Sequence, residues 1–271
     1  MRALVVTVAP AAVEVASDAL WALGVVAVEE RAAGEMVELW TSLGDATVPA
    51  DFPWAWRWQD VDEAVADTWR DYATPIEVEP GLVVRPAWVP HDAPAGTVVL
   101  HIEPGSTFGM GDHPTTVLCL RAARRLVTPE CSVLDVGCGS GVLAVAAMRF
   151  GAGRAVGVDI APAAVPVTLA NAAANGVQVA VSTTDLADVT GQFDLVLANI
   201  LAPTLVALAA DLRRVLAAGG RLVISGILAA HHAHVLEPLA PLEVEHTDVL
   251  DGWAAVTRRH PAASSASTSA R

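Results

Sequence analysis

The sequence contains no lysine. All 16 of its basic residues are arginine, set against 30 aspartates and glutamates, for a formal net charge of −14 over 271 residues. So acidic a chain repels phosphate backbones and anionic lipid surfaces, which makes nucleic acid and membrane surfaces poor partners and a basic protein a better one. A GC-rich coding sequence, favouring Ala, Arg and Asp, accounts most simply for the missing lysine. Cysteine is scarce too. Cys119, Cys131 and Cys138 are odd in number and lack CxxC spacing, which disfavours a metal site and fits a reducing compartment. No apolar run reaches the roughly 18–20 residues of a membrane-spanning helix, and the first twenty residues meet Glu14 and Asp18 before a signal-like core is complete. Both observations fit a soluble cytoplasmic protein. What is present is apolar: 54% of residues are hydrophobic and only 17% charged, enough to build at least one large core and to exclude overall disorder.

Tryptophan divides the chain. Trp21, Trp40, Trp54, Trp56, Trp58, Trp69 and Trp88 precede residue 90 and only Trp253 follows, whereas the glycine motifs lie in the second part. In the first part Arg2–Val8, Val25–Glu29 and Met36–Trp40 read as strands and Ala11–Leu23 as an amphipathic helix. Trp54, Trp56 and Trp58, at period two, share one face of a further strand, either a core face or a recognition surface, and rings of this size favour the core. Asp60–Tyr72 suits a linking helix, and Leu82–Trp88 with Thr97–Ile102 a hairpin. Beyond Gly105, helices over Thr116–Leu126, Val142–Phe150, Ala163–Asn175, Leu205–Leu216 and His231–Leu239 alternate with strands over Ser132–Val136, Ala155–Asp159, Gln178–Val181, Phe193–Ala198 and Arg221–Ser225. Closing strands fall near Leu242–Thr247 and Trp253–Thr257. This alternation predicts an α/β protein with a doubly wound, Rossmann-like parallel sheet that takes its ligand at the carboxyl ends of the strands. The expected division is an N-terminal domain over 1–60, a linker region over 61–90, the α/β domain over 91–259, and a disordered tail over 260–271, where apolar content is too low to fold.

The most informative segment runs from Val133 to Gly141, VLDVGCGSG, an apolar strand entering a glycine loop ahead of a helix. Glycines there permit a tight turn and let a ligand approach the backbone. A dinucleotide fingerprint, GxGxxG, would place its third glycine at Val142, so an NAD enzyme is disfavoured. GxGxG after the acidic strand residue Asp135 resembles instead the first motif of S-adenosylmethionine-dependent methyltransferases. A pyrophosphate prefers a helix amino terminus without a nearby carboxylate, whereas a cationic sulfonium tolerates or gains from Asp135. Asp159 ends the next strand, VGVD, where a carboxylate can accept hydrogen bonds from both ribose hydroxyls. The same residues could serve plain strand-to-helix turns, but strand, loop, helix, strand and acid in this order favour a nucleoside cofactor held by Asp135, Gly137, Gly139, Gly141 and Asp159.

Two further segments carry a family resemblance. Glu103–Thr116 reads EPGSTFGMGDHPTT, and ANILA, Ala198–Ala202, completes the strand FDLVLA where amino-group methyltransferases carry Asn-Pro-Pro-aromatic. With DVGCGSG and GVDI, these closely resemble the PrmA family of ribosomal protein methyltransferases over most of residues 60–259. The resemblance implies S-adenosyl-L-methionine as cofactor, a basic large-subunit ribosomal protein, number eleven, as partner, and N-methylation of its lysine and amino-terminal amines. Carried over, the cofactor contacts fall on Thr116, Gly137, Asp159 and Asn199, while Phe108, Gly109 and Gly111 belong to a loop covering the methionine end. Met110 departs from the family's FGTGxHxTT. His113 reads slightly better as a turn residue ahead of Pro114 than as a chemical group. The family's N-terminal domain is a ferredoxin-like βαββαβ unit that grips the substrate. Here only Thr41–Pro53, with two prolines, separates the second hairpin strand from the tryptophan strand, too little for a second helix and its connections. The resemblance therefore implies a truncated α+β recognition domain.

Methyl transfer from a sulfonium to an amine is an in-line displacement, in which proximity and orientation supply most of the acceleration. The amine must be neutral, although lysine in water has a pKa of about 10.4, so desolvation and the adjacent positive charge have to favour the free base, and no strong general base is required. The catalytic candidate is Asn199, whose side-chain oxygen, with a backbone carbonyl near Ile200, would accept hydrogen bonds from the amine. Its plainer role is a strand-end turn residue. His231, His232 and His234 diverge around a helix start and do not suggest a metal site. Adenine methylation of nucleic acid is disfavoured by NILAP, which lacks a stacking ring, and by the charge. Another protein or small amine as acceptor, or a non-catalytic S-adenosylmethionine-binding module, remain as alternatives.

Overall fold

The structure is a computed structural model and describes residues 2–23, 25, 28–41, 47–50, 52–60, 74–103, 111–230 and 232–260. The chain divides into two compact units, Met1–Ala73 and Thr74–Arg271. The linking helix expected over Asp60–Tyr72 and the tail beyond His260 lie outside the described residues.

In the first unit, β1 (Arg2–Val8), β2 (Val28–Ala33), β3 (Met36–Thr41) and β4 (Ala55–Asp60) form one sheet in the order β2-β3-β1-β4, every pair antiparallel. The period-two residues Leu4, Val6 and Val8 of β1 turn to one face, where Ala16 and Leu20, one turn apart on α1 (Val13–Ala22), bury with Leu39. Strand order and directions are those of a ferredoxin-like sheet. The connection from β3 to β4 contains no helix among its described residues, 47–50 and 52–54. Trp54 and Trp58 pack on this core, as their spacing suggests. Trp56, opposite Val6 in the register, is instead 43% exposed, with its ring edge-on to Trp58 at 6.1 Å. No second helix among the described residues covers that part of the face.

The second unit opens with a three-stranded sheet, β5 (Ile76–Glu79), β6 (Leu82–Arg85) and β7 (Val98–His101). The hairpin expected between Leu82–Trp88 and Thr97–Ile102 does not form: β6 and β7 run parallel, and the hairpin is β5–β6, closed at Pro80-Gly81. A hairpin requires a short reversing connection, whereas residues 86–97, with Pro86, Pro90 and Pro94, carry the chain back to the end from which β6 began. The residues assigned to a linker up to 90 also differ from expectation. Val78, Leu82 and Val84 are fully buried with Leu100 and Ile102 in the core of this unit, and Arg121 donates to the Val78 carbonyl at 2.8 Å.

The main sheet has seven strands in the order β10-β9-β8-β11-β12-β14-β13. These are β8 (Ser132–Val136), β9 (Arg154–Val158), β10 (Ala180–Ser182), β11 (Phe193–Asn199), β12 (Leu216–Leu228), β13 (Glu243–Leu250) and β14 (Trp253–Arg259). The first five positions pair in parallel, and β14 runs antiparallel to both neighbours. Val133, Leu195, Leu197 and Val223 face a core shared with α2 (Pro114–Leu126) and α3 (Val142–Arg149), joined by Ala172 of α4 (Ala164–Ala174). Their neighbours Leu134, Val196, Ala198, Leu222 and Ile224 face the opposite core, with α5 (Ala202–Ala207), α6 (Ala209–Arg214) and α7 (Ala233–Leu236). Helices on both faces of a mostly parallel sheet make the unit Rossmann-like. The helix expected over Leu205–Leu216 is two short ones meeting at Leu208, and β12 reaches back to Leu216 to pair with Phe193. No helix among the described residues is long and apolar enough to cross a membrane.

Candidate active site

The site lies at the carboxyl ends of β8, β9, β11 and β12. Gly137, Gly139 and Gly141 have φ of +70°, +53° and +76°, values that L side chains rarely adopt, so the loop from β8 to α3 takes a path that only glycine follows without strain. Gly137 and Cys138 donate to the Val158 carbonyl at 2.8 and 3.1 Å, which fastens the loop to the end of β9. One residue on, the Asp159 carboxylate accepts from Gly139 N–H and Ala161 N–H, each at 2.8 Å through a different oxygen. Beside it Ile160 is 88% exposed. An isoleucine so open next to a strand-end acid is an apolar platform, and its only sequence signal is its place directly after Asp159.

Helix α4 fixes this loop from behind through polar residues that the sequence reading missed. Thr168 donates to the Gly139 carbonyl at 3.2 Å, and Asn171 Nδ2 donates to the Ser140 carbonyl at 2.8 Å. Asn171 also pairs with the backbone of Glu103 in both directions at 2.9 Å, and Asn175, one turn later, does the same with His101 at 2.9 and 2.7 Å. The two asparagines thus act as a surrogate strand for residues 101–103 and couple them to the glycine loop. The available signal was Asn171 in the interior of a largely apolar helix, where asparagine is a poor residue, with a second asparagine four residues on at the cap.

Asp135 does not reach a ligand surface. Its side chain is buried, 1% exposed, and accepts from Ala144 N–H at 3.0 Å, tying β8 to the first turn of α3. Burial pushes its pKa up to about 7; the Ala144 hydrogen bond opposes that shift and the Asp159 charge adds to it. From there it holds the loop from beneath, with almost no surface open to direct contact. The buried thiols of Cys119 and Cys138 are pushed up to about 12 by desolvation, so neither supplies a thiolate nucleophile.

Across from the loop, Asn199 ends β11 half-buried, and its Nδ2 lies 3.4 Å from Oγ1 of buried Thr116 on the first turn of α2. That contact directs the amide nitrogen toward α2. Ile200 then places its Cγ2 directly over Gly137, so close that a Cβ on Gly137 would lie under 3.0 Å from it. Gly137, Asn199 and Thr116 are therefore brought together. His113 caps α2: its Nδ1 accepts from Thr115 N–H at 3.3 Å, and its ring meets Trp253 edge-on at 5.0 Å. Burial lowers its pKa, against the pull of Asp112. Phe108, Gly109 and Met110 lie outside the described residues.

A family model described as "Ribosomal protein L11 methyltransferase (PrmA)" matches residues 31–261. The protein named "Ribosomal protein L11 methyltransferase" from Geobacter sulfurreducens is 45% identical over 212 residues, covering 76% of this chain and 69% of that protein. The protein of the same name from Geobacter metallireducens is 48% identical over 65% of this chain and 58% of its own length, and the one from Symbiobacterium thermophilum 40% identical over 81% and 72%. A crystal structure described as a ribosomal protein L11 methylase from Lactobacillus delbrueckii subsp. bulgaricus superposes with a TM-score of 0.64 at 32% identity, covering 69% of this chain and 99% of that one.

Proposed function

The chain belongs to the ribosomal protein L11 methyltransferase (PrmA) family, and from that premise we propose that it transfers methyl groups from S-adenosyl-L-methionine to lysine and amino-terminal amines of ribosomal protein L11, in the cytoplasm. The residues suit that cofactor. Three left-handed glycines leave the loop backbone open, both oxygens of Asp159 sit at the loop with lone pairs to spare for ribose hydroxyls, and Ile160 offers an apolar face for a base. Bound there, the cofactor supplies an electrophilic methyl group on a sulfonium. Phe108, with the loop around it, completes the proposed contacts, and Thr116, itself buried, acts through its hydrogen bond with Asn199.

The chain's own residues do the rest. Asn199 Oδ1 and the Ile200 carbonyl accept hydrogen bonds from the amine and aim its lone pair, and the half-buried site disfavours the charged ammonium form. The observation that carries this reading is the convergence of Asn199, held by Thr116, with Ile200 packed on the glycine loop. A basic acceptor also suits the charge: residues 1–73 carry 13 acidic and 4 basic side chains, net −9 of the chain's −14. Asn199→Ala should lower methyl transfer to purified ribosomal protein L11 by about two orders of magnitude, the cost of losing one group that orients a reacting atom, with the fold intact by circular dichroism. Wild-type turnover in that variant would refute the assignment.

A further inference from the structure

Strand β12 carries an irregularity at the site. Its ladder with β14 pairs Ile224 with Val256 and Ile227 with Ala254, so Ser225 and Gly226 together face the single residue Ala255. On the other side, the parallel ladder with β11 ends at Asn199 opposite Ser225, which places Ile200 level with Gly226. Gly226 has φ +85°, and a Cβ there would lie 2.8 Å from the carbonyl carbon of Ile200, closer still to its oxygen and 3.3 Å from its nitrogen. All three are backbone atoms, so no side-chain rotation relieves the clash. Residue 200 is thus gauged by two glycines from separate elements, with its side chain over Gly137 of the cofactor loop and its peptide against Gly226 of β12.

We propose that Gly226 is a positioning residue for methyl transfer: the bulge at Ser225-Gly226 leaves room for the Ile200 peptide, and so sets where its carbonyl meets the acceptor amine relative to the glycine loop. This rests on the reading of Asn199 and Ile200 as the amine acceptors. A Cβ at 226 displaces that carbonyl while leaving Asp159 and the loop contacts to Val158 in place. Loss should therefore fall on the transfer step and spare nucleoside binding.

The same strand supplies a matched control. Gly219 also has a left-handed φ, +78°, but nothing lies within 4 Å of a Cβ built on it. Gly219→Ala therefore introduces the backbone strain without the clash. The test measures single-turnover methyl transfer to ribosomal protein L11 at saturating substrates, S-adenosylhomocysteine affinity by calorimetry, and Tm. Gly226→Ala should lose at least tenfold in rate with affinity within threefold of wild type, whereas Gly219→Ala should lose Tm alone. Ile200→Ala, which keeps the fold but removes the wedge over Gly137, should also slow transfer severalfold. Equal rate losses at 219 and 226, an affinity loss that accounts for the rate loss, or a wild-type rate in Ile200→Ala would overturn the proposal. Absence of transfer by the wild-type protein would instead overturn the reading on which it rests.

Discussion

Replacing Asn171 by Ala removes the link between α4, the glycine loop and the strand that precedes residues 104–110. The side chain is 3% exposed and makes three hydrogen bonds, to Glu103 N–H, the Glu103 carbonyl and the Ser140 carbonyl, all between 2.8 and 2.9 Å. At about 1 kcal/mol net per bond the loss comes to about 3 kcal/mol, and more if the backbone groups left behind stay dry. Urea unfolding of wild type and variant, followed by circular dichroism, should show that difference as a shifted midpoint with an unchanged slope. Asn171→Asp keeps the acceptor for Glu103 N–H but turns a carboxylate toward two carbonyls, so it should be destabilised at least as much at neutral pH. Either variant within 0.5 kcal/mol of wild type, a threshold of about the effect of an ordinary surface change, would refute the idea that this side chain acts as a surrogate strand.

Other expectations follow from the same geometry. Asp159→Ala removes two charge-assisted acceptors proposed for the ribose, worth about 1.5–3 kcal/mol each; S-adenosylhomocysteine affinity by calorimetry should fall at least a hundredfold, and a change within threefold would contradict the role. Asp135 is held at about 7 in the folded protein against 3.8 for the free group, so the folded state keeps a proton that the unfolded chain has lost. Its contribution to stability therefore falls as pH rises from about 4 to 7 and is then flat. Between pH 5 and pH 8 wild type should lose roughly 2–3 kcal/mol relative to Asp135→Asn, at about 1.4 kcal/mol per pH unit. Equal differences between the two proteins at both pH values would remove the account of the buried carboxyl.

The parallel sheet was legible because both of its faces are covered, so that β8, β11 and β12 carry short apolar runs without strict alternation; Leu195, Val196 and Leu197 go alternately to opposite cores. The glycine loop was legible for a related reason, since left-handed positions in a ligand-facing turn leave few alternatives to glycine. Pairing was less so. Nothing in Leu82–Arg85 or Val98–His101 distinguishes a parallel from an antiparallel neighbour, and the direction is set by the path of residues 86–97. Asn171 and Asn175 escaped notice because their partners are backbone atoms 68 and 74 residues away, invisible to any local pattern. The burial of Asp135 was hidden for the opposite reason: a strand-end acid looks the same in sequence whether it is open to solvent or, as here, turned toward the helix behind the loop.

The proposed reaction is methylation of amines of ribosomal protein L11 at this site. Incubating the purified protein with methyl-labelled S-adenosylmethionine and purified ribosomal protein L11, then locating the label by mass spectrometry, tests it most directly. Label should appear on lysine side chains or the amino terminus of that protein, and be lost in Asn199→Ala. Label confined to other proteins of a lysate, or to atoms other than amine nitrogens, would contradict it.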